Sequence, residues 1–432
     1  MKSLKKSTIK LTATLKAVIA HFHQLPNNNR VINIVRRVEA LHENKVDIFL
    51  SHVIRDFAHR HKNFEELLMD NFQRVQEIFG ELSHYSRNRK LLLGAFVTKE
   101  YSFQAAALFN PSIVPHPDQT NLQKGELRFT MSLRATGEGH ISSIIFKTGI
   151  VNETGMVTLD DSSGFFSVLK KSSDQPQKEL NSNSAETLED FSDTNYNLVS
   201  SPNISLSEKV IFPSAKCERM GMEDLRLVKF IDEGGSCYYG TYTAYDGKNI
   251  RPMLLETDDF ISFRIRSLYG KAVNDKGMAL FPEKVNGKFV KCSRQGSELL
   301  SIMFSDDLYT WENYQLLKEP EFEWEFVQIG NCGSPVKTDK GWLLLTHGVG
   351  PMRKYVISAI LLDLKDPSKV IGRLSQPMIT ADEEEREGYV PNVVYTCGML
   401  QHGKLLIIPY AISDTATVFA SVEIDEILNE MK

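Results

Sequence analysis

The sequence predicts an all-β protein, a five-bladed β-propeller with an N-terminal α-helical appendage. Three observations lead there. First, five short apolar stretches, most of them led by a glycine turn, each run into a polar residue: Gly125 to Arg134, Tyr238 to Asp246, Gly287 to Arg294, Gly341 to His347 and Gly403 to Asp414. Second, each follows another short stretch that opens on a polar or proline corner: Asn110-Pro-Ser-Ile-Val, Glu223-Asp-Leu-Arg-Leu-Val, Leu280-Phe-Pro-Glu-Lys-Val, Cys332-Gly-Ser-Pro-Val and Pro391-Asn-Val-Val-Tyr. A repeated unit of roughly fifty to sixty residues made of short strands is the pattern of a propeller blade. Third, residues 1 to 93 follow a different period. Val31 to Leu41 and Phe64 to Val75 place apolar residues at i, i+3, i+4 and i+7, the spacing of amphipathic helices.

Taken in chain order, residues 1–93 form the helical region. Lys16 interrupts the apolar run that begins at Leu11 and no small-residue cleavage site follows, so no signal peptide is expected. His52 and His59 lie about two helical turns apart and read either as a solvated helix face or as a metal pair, the first being preferred. Residues 94–432 form the propeller. Within it, residues from about 160 to 210 are polar and turn-rich, for example Ser172-Ser-Asp-Gln-Pro, and read as an insertion with some helix around Ser184 to Phe191. The amphipathic run Val422 to Leu428 closes the chain.

Composition narrows the function. An apolar fraction of 42% fits a globular protein with a large core. The formal charge of -5 argues against a nucleic-acid partner. No stretch approaches the ~20 uninterrupted apolar residues of a membrane helix. Five widely spaced cysteines, odd in number and without CxxC, suggest reduced thiols and a cytoplasmic protein.

The sharpest local signal is Gly221-Met-Glu-Asp-Leu-Arg226, two carboxylates and an arginine at the head of an apolar strand. Strict alternation separates Glu223 from Asp224 and puts Asp224 and Arg226 on one face. The group is either a surface ion pair at a blade edge or a carboxylate for sugar chemistry. Arg134, Lys276, Arg294 and His347 recur near strand ends, and converging on one axis they would make an anion cradle. Trp311, Trp324, Trp342, Tyr395 and Tyr410 serve either as core or as stacking faces for sugar rings. There is no P-loop, dinucleotide fingerprint, HExxH or GxSxG.

Asn110-Pro-Ser-Ile-Val-Pro, Gly221 to Arg226, Leu280-Phe-Pro-Glu-Lys, Gly341 to Val349 and Leu361 to Arg373 resemble glycoside hydrolase family 130, whose members include β-mannoside phosphorylases and β-1,2-mannosidases on a five-bladed propeller. The resemblance covers about residues 94–432. It implies that Asp224 is the catalytic acid, acting through the sugar's 3-hydroxyl. It implies that Asn110, Ser112, Arg134 and Asp414 hold the mannosyl unit, with Glu223 and Arg226 beside them. It further implies that Lys276, Arg294, His347 and Tyr355 bind phosphate. Leu225 replaces the family's usual proline, Ser293 and Gln295 flank Arg294 where His and Pro are common, and Thr346 replaces a tyrosine.

The expected activity is therefore that of an inverting phosphorylase, which cleaves β-mannosides reversibly with inorganic phosphate to give α-mannose 1-phosphate. Phosphate is a co-substrate; no cofactor or metal is expected. The partners are a mannoside oligosaccharide and phosphate, and the helical region is expected to support a homo-oligomer. Two alternatives stay open. One is an inverting β-mannosidase with Glu385 or Glu387 activating water; the other is a propeller that binds glycans without turnover.

Overall fold

The computed structural model describes residues 1–174 and 193–432. It divides into two units: Met1–Ala13, Ala105–Asp161 and Val168–Lys432 form the larger, and Thr14–Gln104 with Ser162–Ser167 the smaller.

The larger unit is built almost wholly of antiparallel strands grouped in chain order. Ala107–Pro115, Leu127–Thr136 and Ser142–Val151 come first. Gly221–Asp232, Gly235–Tyr245, Ile250–Thr257 and Ser262–Ser267 follow. Next are Ala279–Leu280, Phe289–Gln295, Leu299–Ser305 and Gln315–Lys318, then Gln328–Asn331, Trp342–Val349, Tyr355–Leu362 and Val370–Arg373. Val394–Tyr395, Leu405–Ile412 and Ala416–Glu423 form the last group. The first two groups meet through one parallel pair, Gly221 with Ser142. A Cβ on Gly221 would lie 2.9 Å from the Ser142 nitrogen, so only glycine permits this junction.

Alternation explains the packing. Along Trp342–Val349, Leu343 and Leu345 join one core with Ile357, Ala359 and Ile408. Trp342 and Leu344 join another with Phe281, Ile360 and Leu362. Both faces of this strand are buried, which is why its sequence is nearly continuously apolar. Trp311, Trp342 and Tyr410 are likewise core residues.

The first residues depart from the sequence expectation of helix from residue 1. Lys5–Thr12 is a strand that pairs with Ala416–Glu423, in the register Lys5–Ser421 and Thr12–Ala416, and completes the last group. Its alternating exposure and its three lysines suit an outermost strand. In the segment expected as an insertion, Tyr196–Val199 pairs with Ser262–Ser267 and Lys209–Ile211 with Ser142–Val151. The helix expected around Ser184 to Phe191 lies outside the described residues.

In the smaller unit, α1 (Asn28–Glu39), α2 (Glu43–Phe57), α3 (Phe64–Phe79) and α4 (Arg87–Phe96) accompany the paired strands Val18–Phe22 and Thr98–Ser102. Val31, Val35, Val46, Phe72, Leu92 and Leu93 form its core. Asn27 and Ser86 cap α1 and α4 by accepting from the Arg30 and Arg89 amides. Buried Arg89 donates to the Val38, Glu39 and Leu41 carbonyls and so satisfies the end of α1. His52 and His59 are exposed, as are Ile48, Phe49 and Phe57. Among the described residues no helix is long and apolar enough to cross a membrane.

Lys291, in Phe289–Gln295, is fully buried, its ammonium 4.5 Å from the Trp311 ring centroid. Burial lowers its pKa to about 7, against the weaker pull of Asp307 and Glu256. The folded value lies below the unfolded one, so this lysine destabilises the fold increasingly as pH falls from about 10.5 towards 7, and by a constant amount below that. Lys291→Met is expected to raise the unfolding free energy by roughly 2–4 kcal/mol at pH 7. The gain, read from denaturant melts, should vanish above pH ~10.5. A gain that does not vary with pH would show that the charge is not the cause.

Candidate active site

Two strands place the key side chains by the same device. Ala107–Pro115 is bulged between Phe109 and Ser112, and Gly221–Asp232 between Glu223 and Arg226. A bulge adds one residue, bends the strand and re-aims a side chain. The re-aimed residues, Asn110 (φ 49°) and Asp224 (φ 58°), are left-handed, a conformation that Asn and Asp tolerate best among side-chain-bearing residues. Asn110 Nδ2 donates to Asp224 Oδ1 at 2.6 Å.

The bulge also changes which residues share a face. Alternation separates Glu223 from Asp224, yet Arg134 reaches both: Nη2 lies 2.8 Å from Glu223 Oε1 and Nη1 3.4 Å from Asp224 Oδ1. Arg134 Nε donates to Ser142 Oγ, and its guanidinium lies 5.0 Å from the Phe109 ring centroid. Glu223 Oε2 accepts from Lys276 Nζ at 2.8 Å. One carboxylate thus joins two cations. Arg226 is buried, donates to the Asp224 carbonyl at 3.0 Å and to the Tyr395 hydroxyl at 2.7 Å, and so fixes the Asp224 backbone. These contacts are interior ones, not a surface ion pair.

Burial opposes ionisation of Asp224. Arg134 and Arg226, then the Asn110 hydrogen bond and Lys276, outweigh it and hold the carboxyl below the ordinary aspartate value. Asp414 is left-handed at φ 49° in the turn after Leu405–Ile412. Burial, and then the negative charge of Asp224, push its pKa up to about 6, against Arg134 and Arg353. Two carboxyl groups of one constellation are thereby driven apart.

The expected anion side also gathers here, with changes. Gly277, beside Lys276, packs on Arg294: a Cβ on it would lie 3.7 Å from the Arg294 Cβ. Arg294 Nη2 is 3.8 Å from Asp275 Oδ1. His347 is buried, and burial, followed by Arg294 and Arg226, lowers its pKa to about 3. It is therefore neutral at neutral pH and adds no positive charge there. The Tyr355 ring stacks on it with centroids 6.0 Å apart, and the Tyr395 ring meets it edge-on at 5.0 Å. Ser112 differs from its expected sugar-binding role: fully buried, it accepts from the Leu227 amide and ties the two bulged strands together.

Sequence reasoning missed Gln328, Asp275 and Ser297. The Gln328 amide contacts both Arg294 and His347. Asp275 accepts from the backbone amides of Lys276 and Ser297. Asp275 stands next to Lys276 in sequence, while nothing marks Gln328. Glu385, a candidate base for water activation, accepts from the Tyr410 hydroxyl at 2.7 Å and pairs with Lys6 at 2.8 Å.

Comparison with known proteins adds a second line of observation. The family model described as β-1,4-mannooligosaccharide phosphorylase, glycoside hydrolase family 130, matches residues 191–432. A 1,2-β-oligomannan phosphorylase from Thermoanaerobacter sp. (strain X514) is 35% identical over 51% of this chain and 75% of its own length. A β-1,2-mannobiose phosphorylase from Listeria innocua is 29% identical over 53% of this chain and 66% of its own. The structure of a Listeria innocua β-1,2-mannobiose phosphorylase in complex with β-1,2-mannobiose superimposes with a TM-score of 0.52, covering 75% of this chain and 92% of that one at 24% identity. At that identity the superposition speaks for the fold.

If Asp224 and Asp414 share one field, Asp224→Asn should lower the Asp414 pKa from about 6 towards the ordinary aspartate value. Carbon-13 NMR of labelled aspartate carboxyls measures it. An unmoved Asp414 would separate the two groups.

Proposed function

The chain belongs to glycoside hydrolase family 130, and on that footing we propose that it is an inverting β-mannoside phosphorylase on a five-bladed propeller, acting on β-1,2-linked mannosides. The five successive antiparallel strand groups support the propeller, the last being completed by the N-terminal strand. The names of two curated relatives support the β-1,2 linkage, although the family description names a β-1,4 activity. Five free thiols suit a reducing compartment and support a cytoplasmic enzyme.

One observation carries the reading: Glu223 joins Arg134, on the acid's side, to Lys276, on the anion's side. In this reading Asn110, Arg134 and Asp414 hold the mannosyl unit beside Asp224. Lys276 and Arg294 hold phosphate, with neutral His347 and Tyr355 as further polar contacts. A phosphate oxygen attacks C1 on the face opposite the leaving group. The C1–oxygen bond to the leaving sugar breaks as a proton passes from Asp224 through the 3-hydroxyl to the departing oxygen. The products are α-mannose 1-phosphate and the shortened sugar. Phosphate is already an anion, so the second carboxylate that an inverting hydrolase uses as base is not required. The engagement of Glu385 with Tyr410 and Lys6 speaks against water activation by that residue.

Asp224 is ionised in the free protein, so the proton must arrive with the substrates. An anion beside Lys276 weakens the positive field on Asp224 and favours its protonated form.

The test is product analysis of β-1,2- and β-1,4-mannobiose digests with and without phosphate. Cleavage should require phosphate, yield α-mannose 1-phosphate and be faster with the β-1,2 linkage. Asp224→Asn should lower kcat by ~10²–10⁴-fold. Arg294→Ala should raise the KM for phosphate about tenfold to a hundredfold. Free mannose released in phosphate-free buffer would replace this reading with a mannosidase.

A further inference from the structure

We propose that Gln328 is the positioning residue of the anion cradle, holding Arg294 and His347 in one fixed arrangement without adding charge; this rests on the phosphorylase reading. In the orientation that satisfies both ends of its amide, Gln328 Oε1 accepts from Arg294 Nη1 at 2.6 Å and from His347 Nε2 at 2.9 Å. Its Nε2 donates to the Ser297 carbonyl at 3.1 Å.

Each end has a consequence. Because Oε1 is an acceptor, the His347 nitrogen facing it carries the ring proton. The same oxygen takes one guanidinium donor of Arg294 and restricts how that fork can turn. The amide nitrogen ties the pair to a built loop. Ser297 is left-handed at φ 58°, and its backbone amide donates to Asp275 Oδ2 at 2.5 Å. Asp275 Oδ1 in turn accepts from the Lys276 amide at 2.6 Å. Gln328, Ser297 and Asp275 thus form a bracket that holds the side chains of Arg294 and His347 and the backbone of Lys276.

The choice of an amide follows from the charge it must not carry. A cradle for a multiply charged tetrahedral anion needs donors in fixed directions and an undiminished positive field. A glutamate at 328 would keep both acceptor contacts, lose the donation to the Ser297 carbonyl and set a negative charge beside Arg294. A methionine would keep the volume and lose both contacts. The two substitutions therefore separate orientation from charge.

The experiment is steady-state kinetics of the full-length wild type, Gln328→Met and Gln328→Glu, with phosphate and mannobiose varied independently, alongside thermal melts and phosphate-binding calorimetry. Gln328→Met should raise the KM for phosphate roughly tenfold or more, while the KM for mannobiose stays within about threefold. Gln328→Glu should weaken phosphate binding further, and because it keeps the contacts to Arg294 and His347 it keeps the test decisive if the methionine variant folds poorly. A phosphate KM unchanged in both variants would overturn the proposal and leave the phosphorylase reading standing. Equal losses for both substrates would reduce Gln328 to a general scaffold residue and also overturn it. A wild type that turns over without phosphate would defeat the phosphorylase reading itself, and the proposal with it.

Discussion

The carboxylate of Glu223 is the joint on which the site turns. It lies 2.8 Å from both Arg134 and Lys276 and is mostly shielded from water. Burying an unpaired charge costs several kcal/mol, and the shared carboxylate offsets that cost chiefly for Arg134, since the Lys276 side chain stays about a third exposed. Arg134 then has three fixed neighbours, Glu223, Ser142 and the Phe109 ring, and its remaining donor faces Asp224. Lys276 is anchored from the other side, and the loop that carries it packs against Arg294.

Backbone geometry is the second constraint. Asn110, Asp224 and Asp414 all adopt left-handed conformations that L-residues rarely visit. The first two sit in bulges on separate strands and bond to each other. Ser112, two residues after Asn110, accepts from the Leu227 amide and holds the bulged strands in register. The buried Arg226 keeps the Asp224 carbonyl in place. Local strain at these positions is borne by the packed strands around them and delivers the Asp224 carboxylate to one spot.

Much of this was legible in the residues. Short strands led by glycine turns and closed by polar residues signalled repeated β groups, and Gly221 to Arg226 marked the buried carboxylate cluster of Glu223 and Asp224. Arg134, Lys276 and Asp414 do meet around Asp224, and Arg294 lies beside His347. What alternation could not supply was the bulge, which brings Glu223 and Asp224 to the same arginine. That His347 is neutral could not be read from the sequence, because it follows from burial. Ser112 was placed on the sugar by the family resemblance, and its contact with a backbone amide 115 positions away leaves no mark in the sequence. Gln328 was missed because an amide carries no pattern of its own, and the N-terminal strand because its period of two is short and lysine-rich.

The most direct measurement of whether acid and anion sides form one constellation is the steady-state kinetics of Glu223→Gln with both substrates varied. The amide keeps the shape of the side chain and removes the charge shared by Arg134 and Lys276. If the joint is real, kcat/KM should fall about tenfold or more for phosphate and for the mannoside together. Loss with one substrate alone, or wild-type values for both, would contradict the single-constellation view.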